Sequence, residues 1–412
     1  MEPKSPLPSE SRPAPETTFK PRSCPVCGDP RKVTLFRQRF AKLSTNWLLE
    51  GYDVVICQGC GFGFADNIPD QATFDRFYRD VSRYEYHHLG GNEPDWVHDR
   101  LKETADWVQS LVESKSARIA DVGCATGGMV KVLLDRGFEH AIGYDPSPGC
   151  AEAARRLYGV EVRTRSLSNL CEETDRFDLI MLMGVVEHLC DLGPAISTIS
   201  ARLVDGGLAL IGVPDATQFS KWPNAPFQEF STEHIGFFSP GSMENLMGRH
   251  GLAQVSTMPL RAELSRQAVE PSFVSVFRKT PAFRRQPVRE ADTERGLRDY
   301  IAKSQALASH VEQVLERIHQ AGKPVIVWGV GTHTLSLLEL GKLGDLKIAA
   351  FVDSNPKFSG TLLRGVPVLA PEQVRGRPEP ILISSWIYQV EIQHLIKDVL
   401  GLPNEVIRMY DL

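Results

Sequence analysis

Residues 118–145 read RIADVGCATGGMVKVLLDRGFEHAIGYD, and the fold is decided in this stretch. The apolar pair Ile119-Ala120 runs into Asp121, and a turn of small residues from Gly123 to Gly128 follows at once. Met129–Leu134 is amphipathic, and a second short strand then ends on an acid, Asp145. Strand, glycine turn, helix, strand and carboxylate, in that order, form the first half of a doubly wound α/β sheet. The glycines let the backbone approach a ligand where a side chain would collide. The acid closing the second strand is placed to accept hydrogen bonds from both ribose hydroxyls.

A dinucleotide site requires GxGxxG, with a helix N-terminus facing a pyrophosphate. Here the turn opens on an acid, D-V-G-x-A-x-G-G, which repels phosphate and suits a cationic ligand. The stretch resembles the first motif of class I methyltransferases. The resemblance implies S-adenosylmethionine as cofactor, with Asp145 on the ribose and the 123–128 loop cradling the methionine end. The contact set it implies is Asp121, Gly123, Ala125, Gly127, Asp145 and Pro146. Ala125 departs from the family, which usually has glycine there.

At 412 residues, two or three domains are expected. A net charge of −5 gives no electrostatic support to broad nucleic-acid or membrane binding. No apolar run reaches the length of a membrane span, and the N-terminus does not read as a signal peptide. Residues 1–22, rich in proline, serine and charge, are expected to be a disordered tail. Of eight cysteines, four form CPVC (24–27) and CQGC (57–60), the usage of a cytoplasmic protein with one metal site. The paired knuckles resemble a zinc ribbon, with Cys24, Cys27, Cys57 and Cys60 closing a tetrahedral shell. Four thiolates leave no coordination position for water, so this Zn2+ is read as structural.

The expected organisation is a zinc-binding section (23–72), a methyltransferase section (73–285) and a C-terminal Rossmann-like section (286–412). In the middle section a helix is predicted over Asp95–Glu113. Phe177–Leu182 reads as the central strand, Ala195–Leu203 as a helix and Gly207–Val213 as the next strand. A helix follows over Ser239–His250, and Ala253–Leu260 and Ser272–Lys279 read as two further strands. A long amphipathic helix over Arg289–Gln320 then leads to a second doubly wound pattern, VIVWGVGTHT (325–334) and IAAFVDSNP (348–356). The second GxG is weak ground for a cofactor, because any open parallel sheet needs such a turn.

Ligands of open α/β sheets lie beyond the carboxyl ends of the strands. Three histidine-bearing clusters are candidates there: Glu187-His188, Glu233-His234, and YEYHH (84–88), the last as a lid carrying Tyr84 and Tyr86. Each has a plainer reading, as packing, helix capping or aromatic core. With the paired CxxC, STEHIGFFS (231–239) and VDSNP…GVPV, the chain is similar to a family of sugar C-methyltransferases. Members of that family join a zinc-binding domain, a class I core and a C-terminal Rossmann-like domain that helps hold the nucleotide sugar. The resemblance implies a final antiparallel hairpin in the core and methylation of the carbon α to a ketone in a nucleotide-linked keto-deoxysugar. It casts His234, oriented by Glu233, as base, and His188 or a tyrosine as enolate stabiliser. Ser231 stands where relatives tend to have tyrosine. Competing readings are an O-methyltransferase of a sugar or secondary metabolite, an rRNA methyltransferase using the basic stripe Arg31, Lys32, Arg37 and Arg39, and a non-catalytic binding module. The expected partner is a small molecule, and the expected state a monomer or homodimer.

Overall fold

The structure, a computed structural model, describes residues 21–410 apart from 44–46, 83, 86–92, 94, 173, 223 and 266–267. The predicted tail therefore lies almost wholly outside the described residues, as does Tyr86. Three sheets organise the rest. The first takes β1 (Lys32–Arg39), β2 (Gly51–Cys57), β3 (Gly63–Asp66) and a short β9 (Gly236–Phe237), all antiparallel. The boundary expected at residue 72 does not convey this arrangement, since β9 is contributed by the central section. No local pattern in a two-residue strand reports its partner.

The second sheet holds β4 (Arg118–Val122), β5 (His140–Asp145), β6 (Val162–Thr164), β7 (Phe177–Met183), β8 (Leu203–Pro214), β10 (Leu252–Glu263) and β11 (Val269–Lys279). Its order is β10-β11-β8-β7-β4-β5-β6, with β4 and β7 central and parallel. β10 and β11 form the implied antiparallel hairpin, and β11 runs antiparallel to β8. Helices α1 (Gln71–Val81), α2 (Asp95–Leu111), α3 (Gly128–Asp135), α4 (Pro148–Tyr158), α5 (Leu192–Arg202) and α6 (Pro240–Arg249) accompany it. The stop and start signals are local. Asp70 caps α1 by accepting from Thr73 N–H, and Ser147 caps α4 by accepting from Cys150 N–H. Ser239 and Ser242 close a capping box on α6, with Pro240 opening the helix.

The 30-residue α7 (Asp292–Ala321) leads to the third sheet, β12 (Val325–Trp328), β13 (Ile348–Val352), β14 (Leu362–Leu363), β15 (Val366–Leu369), β16 (Ile381–Ile383) and β17 (Val406–Arg408). Its order is β14-β15-β13-β12-β16-β17, parallel except for the β14–β15 pair. α8 (Thr332–Leu340) follows the second glycine turn. Among the described residues no helix is long and apolar enough to cross a membrane.

One apolar cluster joins the first and third sheets through loops of the core. It joins Phe40, Leu43 and Tyr52 of the ribbon to Phe230 and Phe237 of the core and to Tyr300, Leu335 and Phe351 of the C-terminal section. Phe230 sits at its centre, with ring centroids 5.2 Å from both Phe237 and Tyr300 in edge-on geometry. Phe230→Ala should therefore lower stability by about 3–5 kcal/mol, because three segments cannot collapse together into the void. The check is a urea titration followed by circular dichroism, with the midpoint expected to fall.

Candidate active site

A cleft of about 1560 Å³ opens at the carboxyl ends of β4, β5, β7 and β8 and is walled on its far side by the third sheet. Drug-sized ligands occupy roughly 300–1,000 Å³, so this cleft has room for two. On the core side, Gly123 follows β4 with φ +78°, and a Cβ there would stand 2.4 Å from Val185 Cγ2. Ala125 also adopts the left-handed region, at φ +49°. That explains why relatives prefer glycine at this position; alanine costs about 1–2 kcal/mol in such a conformation. Ala125 N–H donates to Asp145 Oδ2 at 3.0 Å and Ser147 N–H to Oδ1 at 2.9 Å, so the carboxylate is locked at the strand end.

Asp121, Gly123, Ala125, Asp145 and Pro146 all line the cleft. Gly127 does not. A Cβ on it would face Val160, Val162 and Ala154, and its φ of +76° serves the start of α3. The absence of a side chain at Gly127 makes room for packing behind the loop. Burial pushes Asp121 up to about 7, with the Asp145 charge adding to it. Burial likewise pushes Asp145 up to about 6, against the pull of the Ser147 and Ala125 N–H groups. Thr126 Oγ1 is buried without a hydrogen-bond partner.

Next to this loop the two Glu-His pairs meet. The His188 and His234 rings lie 4.9 Å apart at 76°. His188 Nδ1 is 2.9 Å from Tyr78 Oη and 3.0 Å from the Glu233 carbonyl oxygen. A carbonyl only accepts, so Nδ1 carries the proton and Tyr78 does not donate to it. Glu187 is buried, its Oε2 has no hydrogen-bond partner, and burial pushes it up to about 8. It is therefore a neutral acid at working pH. The carboxylate within 4.0 Å of His234 Nδ1 is Glu270, at the start of β11. Glu233 offers its backbone carbonyl to His188. Ser231 Oγ accepts from both Glu233 and His234 N–H, a turn no tyrosine could make. Tyr84 lines the cleft.

In the ribbon, Cys24 Sγ and Cys60 Sγ are 3.6 Å apart, and Cys27 and Cys57 are 3.4 Å apart. All four sulfurs lie within 4.8 Å of one another, and none is in a disulfide. A tetrahedron with metal–sulfur bonds of 2.3 Å has edges of about 3.8 Å, so the four thiols fit a zinc shell. Gly28 and Gly61 follow the knuckles at φ +85° and +83°, turning each loop back on its first cysteine. The basic stripe is largely neutralised: Arg31 pairs with Asp29, Lys32 with Asp66 and Arg39 with Asp53.

Residues 96–257 match the methyltransferase domain family, and residues 283–406 match the C-methyltransferase C-terminal domain family. The chain is 24% identical to C-methyltransferase NovU of Streptomyces niveus over 362 residues, 82% of this chain and 81% of that one. It is an S-adenosylmethionine-dependent methyltransferase with a C-methyltransferase C-terminal domain. A ubiquinone biosynthesis O-methyltransferase of Azorhizobium caulinodans is 28% identical, over only 38% of this chain and 68% of its own. The solved 1,6-didemethyltoxoflavin-N1-methyltransferase of Burkholderia thailandensis is 19% identical, with a TM-score of 0.40 over 55% of this chain and 97% of that one.

The methyltransferase thus binds S-adenosylmethionine, and the glycine turn with its locked Asp145 fits that cofactor. Sequence reasoning missed three groups beside the histidines: Tyr78, Glu229 and Glu270. Tyr78 is one ring on an amphipathic helix, and Glu229 and Glu270 reach the site from distant segments, so no spacing flags them. One pH dependence follows. The ionised carboxylates are the competent acceptors, and both titrate above the usual carboxylate range. Affinity for S-adenosylhomocysteine should therefore rise as pH increases through about 6 to 7 and level off above. Calorimetry from pH 5 to 8.5 checks this, and Asp121→Asn should remove the upper part of the rise.

Proposed function

We propose that this C-methyltransferase transfers a methyl group to the carbon α to a ketone in a nucleotide-linked keto-deoxysugar. The observation that carries the reading is the position of the two histidines. They lie between the S-adenosylmethionine loop and a cleft wall built by the C-terminal section, in a space large enough for two ligands. A carbon acceptor must lose a proton before it is nucleophilic, so the site needs a base and a donor for the enolate oxygen. Imidazole titrates near working pH, and His234 is the base. Its Nδ1 faces Glu270, which leaves Nε2 to take the proton. Tyr78, whose hydroxyl does not donate to His188, and neutral Glu187 are donors for the enolate oxygen. S-adenosylmethionine supplies the electrophilic methyl when bound.

The match to the C-methyltransferase C-terminal family over 283–406 favours carbon over oxygen as acceptor, since the O-methyltransferase relative reported above matches only 38% of this chain. The nucleotide sugar lies against Gly329–Thr332 and Asp353–Asn355 of the C-terminal wall. In the ribbon, the four cysteines hold a structural Zn2+.

The test uses a TDP-4-keto-deoxysugar in D2O with S-adenosylhomocysteine. Deuterium should enter the carbon beside the carbonyl in the wild type, and His234→Ala should slow this by at least about 10²-fold. Methyl transfer without any exchange would make oxygen the acceptor. A second expectation concerns zinc. Chelation, or Cys57→Ser, should lower both the melting temperature and the exchange rate, because the ribbon sheet holds the segment that carries His234. Zinc content by mass spectrometry and thermal melts check it.

A further inference from the structure

Glu270 faces His234, and Glu229 is a second acid beside it that the reading above leaves without work. They come from different places: Glu229 from the loop before His234, Glu270 from the first turn of ladder in β11. One ligand atom from each of Glu229, His234 and Glu270 falls within 4.8 Å of the others. Glu229 is 4% exposed, and the Glu270 side chain 11%. Two carboxylates this close, so far out of water, cannot both hold a charge. Glu229 is the one that keeps its proton. Burial raises it well above the usual carboxylate range, and the charge and hydrogen bond of Glu270 raise it further.

Glu229 is also the better anchored of the two. Its N–H donates to Tyr300 Oη of α7 at 2.9 Å, and Asn224 Nδ2 donates to its Oε1. Glu270 lies at the solvent-poor end of the hairpin, 4.0 Å from His234 Nδ1. His188 and Glu187 also approach His234. Burial raises Glu187, while Glu270 sets a carboxylate 4.0 Å from the ring.

We propose that Glu270 is the positioning residue of His234, and that Glu229 is a neutral acid whose hydrogen bond holds the Glu270 carboxylate against the imidazole. This rests on the reading of His234 as base. The proton balance is simple. The C–H bond beside the carbonyl breaks, its electron pair stays on the sugar as the enolate, and a new N–H bond forms at His234 Nε2. The Nδ1 proton stays on the ring facing Glu270, which remains a carboxylate and offsets the imidazolium charge. No proton passes to Glu270. The proton gained at Nε2 later leaves to solvent.

The experiment compares full-length Glu270→Gln, Glu229→Gln and Glu229→Leu with wild type and His234→Ala. Two readouts are needed. One is the NMR titration of the His234 imidazole with S-adenosylhomocysteine bound, assigned by its loss in His234→Ala. The other is deuterium exchange into a TDP-4-keto-deoxysugar. Glu270→Gln should lower the imidazole midpoint by about one pH unit and slow exchange on the order of 10²-fold, with S-adenosylhomocysteine affinity unchanged. Glu229→Leu should resemble it. Glu229→Gln should restore most of that loss, because an amide N–H donates where the acid did. A wild-type midpoint and rate in Glu270→Gln would overturn the proposal. So would a Glu229→Gln as slow as Glu229→Leu. A wild type that shows no exchange would sink the base reading alone, and the imidazole titration would still decide the place of Glu270.

Discussion

Ile235 is held from both sides of its own peptide. Its N–H donates to the Glu187 carbonyl at 2.9 Å, and its carbonyl accepts from Ala65 N–H at 2.8 Å. The first bond ties the His234 segment to the end of β7, and the second ties it to the ribbon sheet. The pairing of β3 with β9 continues the second tie for two more residues. A histidine on a free loop would sample many positions, and each ordered residue costs about 1–2 kcal/mol of backbone entropy. Here that cost is met during folding, through a ladder that begins at the cysteine knuckles. The cysteine tetrad and His234 are therefore one mechanical unit, although more than 170 residues separate Cys60 from His234.

How much of this was legible in the chain depends on the range of each interaction. The β4–turn–α3–β5 unit was readable because every determinant is local: small residues where φ must be positive, apolar residues where a strand is buried, an acid where a strand ends. The cysteine tetrad was readable because thiol pairs at fixed spacing carry chemistry. β9 was not, since two residues have no periodicity. Nor were the roles of Tyr78, Glu229 and Glu270. Each is an ordinary residue on an ordinary element, and becomes part of the site only through contacts such as Tyr78 to His188, 110 residues apart.

Burial raises most of the acids that build the site. Asp121, Glu187 and Glu229 all lie above their ordinary range, with burial the leading cause each time. A neutral carboxylic acid is a hydrogen-bond donor, which an ionised one is not. In the proposed reaction, neutral Glu187 and Tyr78 stabilise the enolate without a cation that would compete with a sulfonium ligand. The same burial makes the one carboxylate left beside His234 effective, because charges interact more strongly where water is scarce.

Both walls of the cleft rest on shared core. Ala41 N–H donates to the Leu335 carbonyl at 2.9 Å, Leu43 bridges to Leu363, and Tyr300 of α7 packs edge-on against Phe230. A ligand entering such a cleft meets walls already set at their working separation, so little binding energy is lost in bringing them together. The polar link across the mouth has a different character. Lys357 of the C-terminal section pairs with Glu85 at 2.9 Å, and Glu85 accepts from Ser147 Oγ at 2.7 Å, directly after Asp145 and Pro146. Being partly exposed, this link contributes little to stability. It does join the C-terminal wall of the cleft to the loop that follows β5, so the two walls are tied by polar contact as well as by shared core.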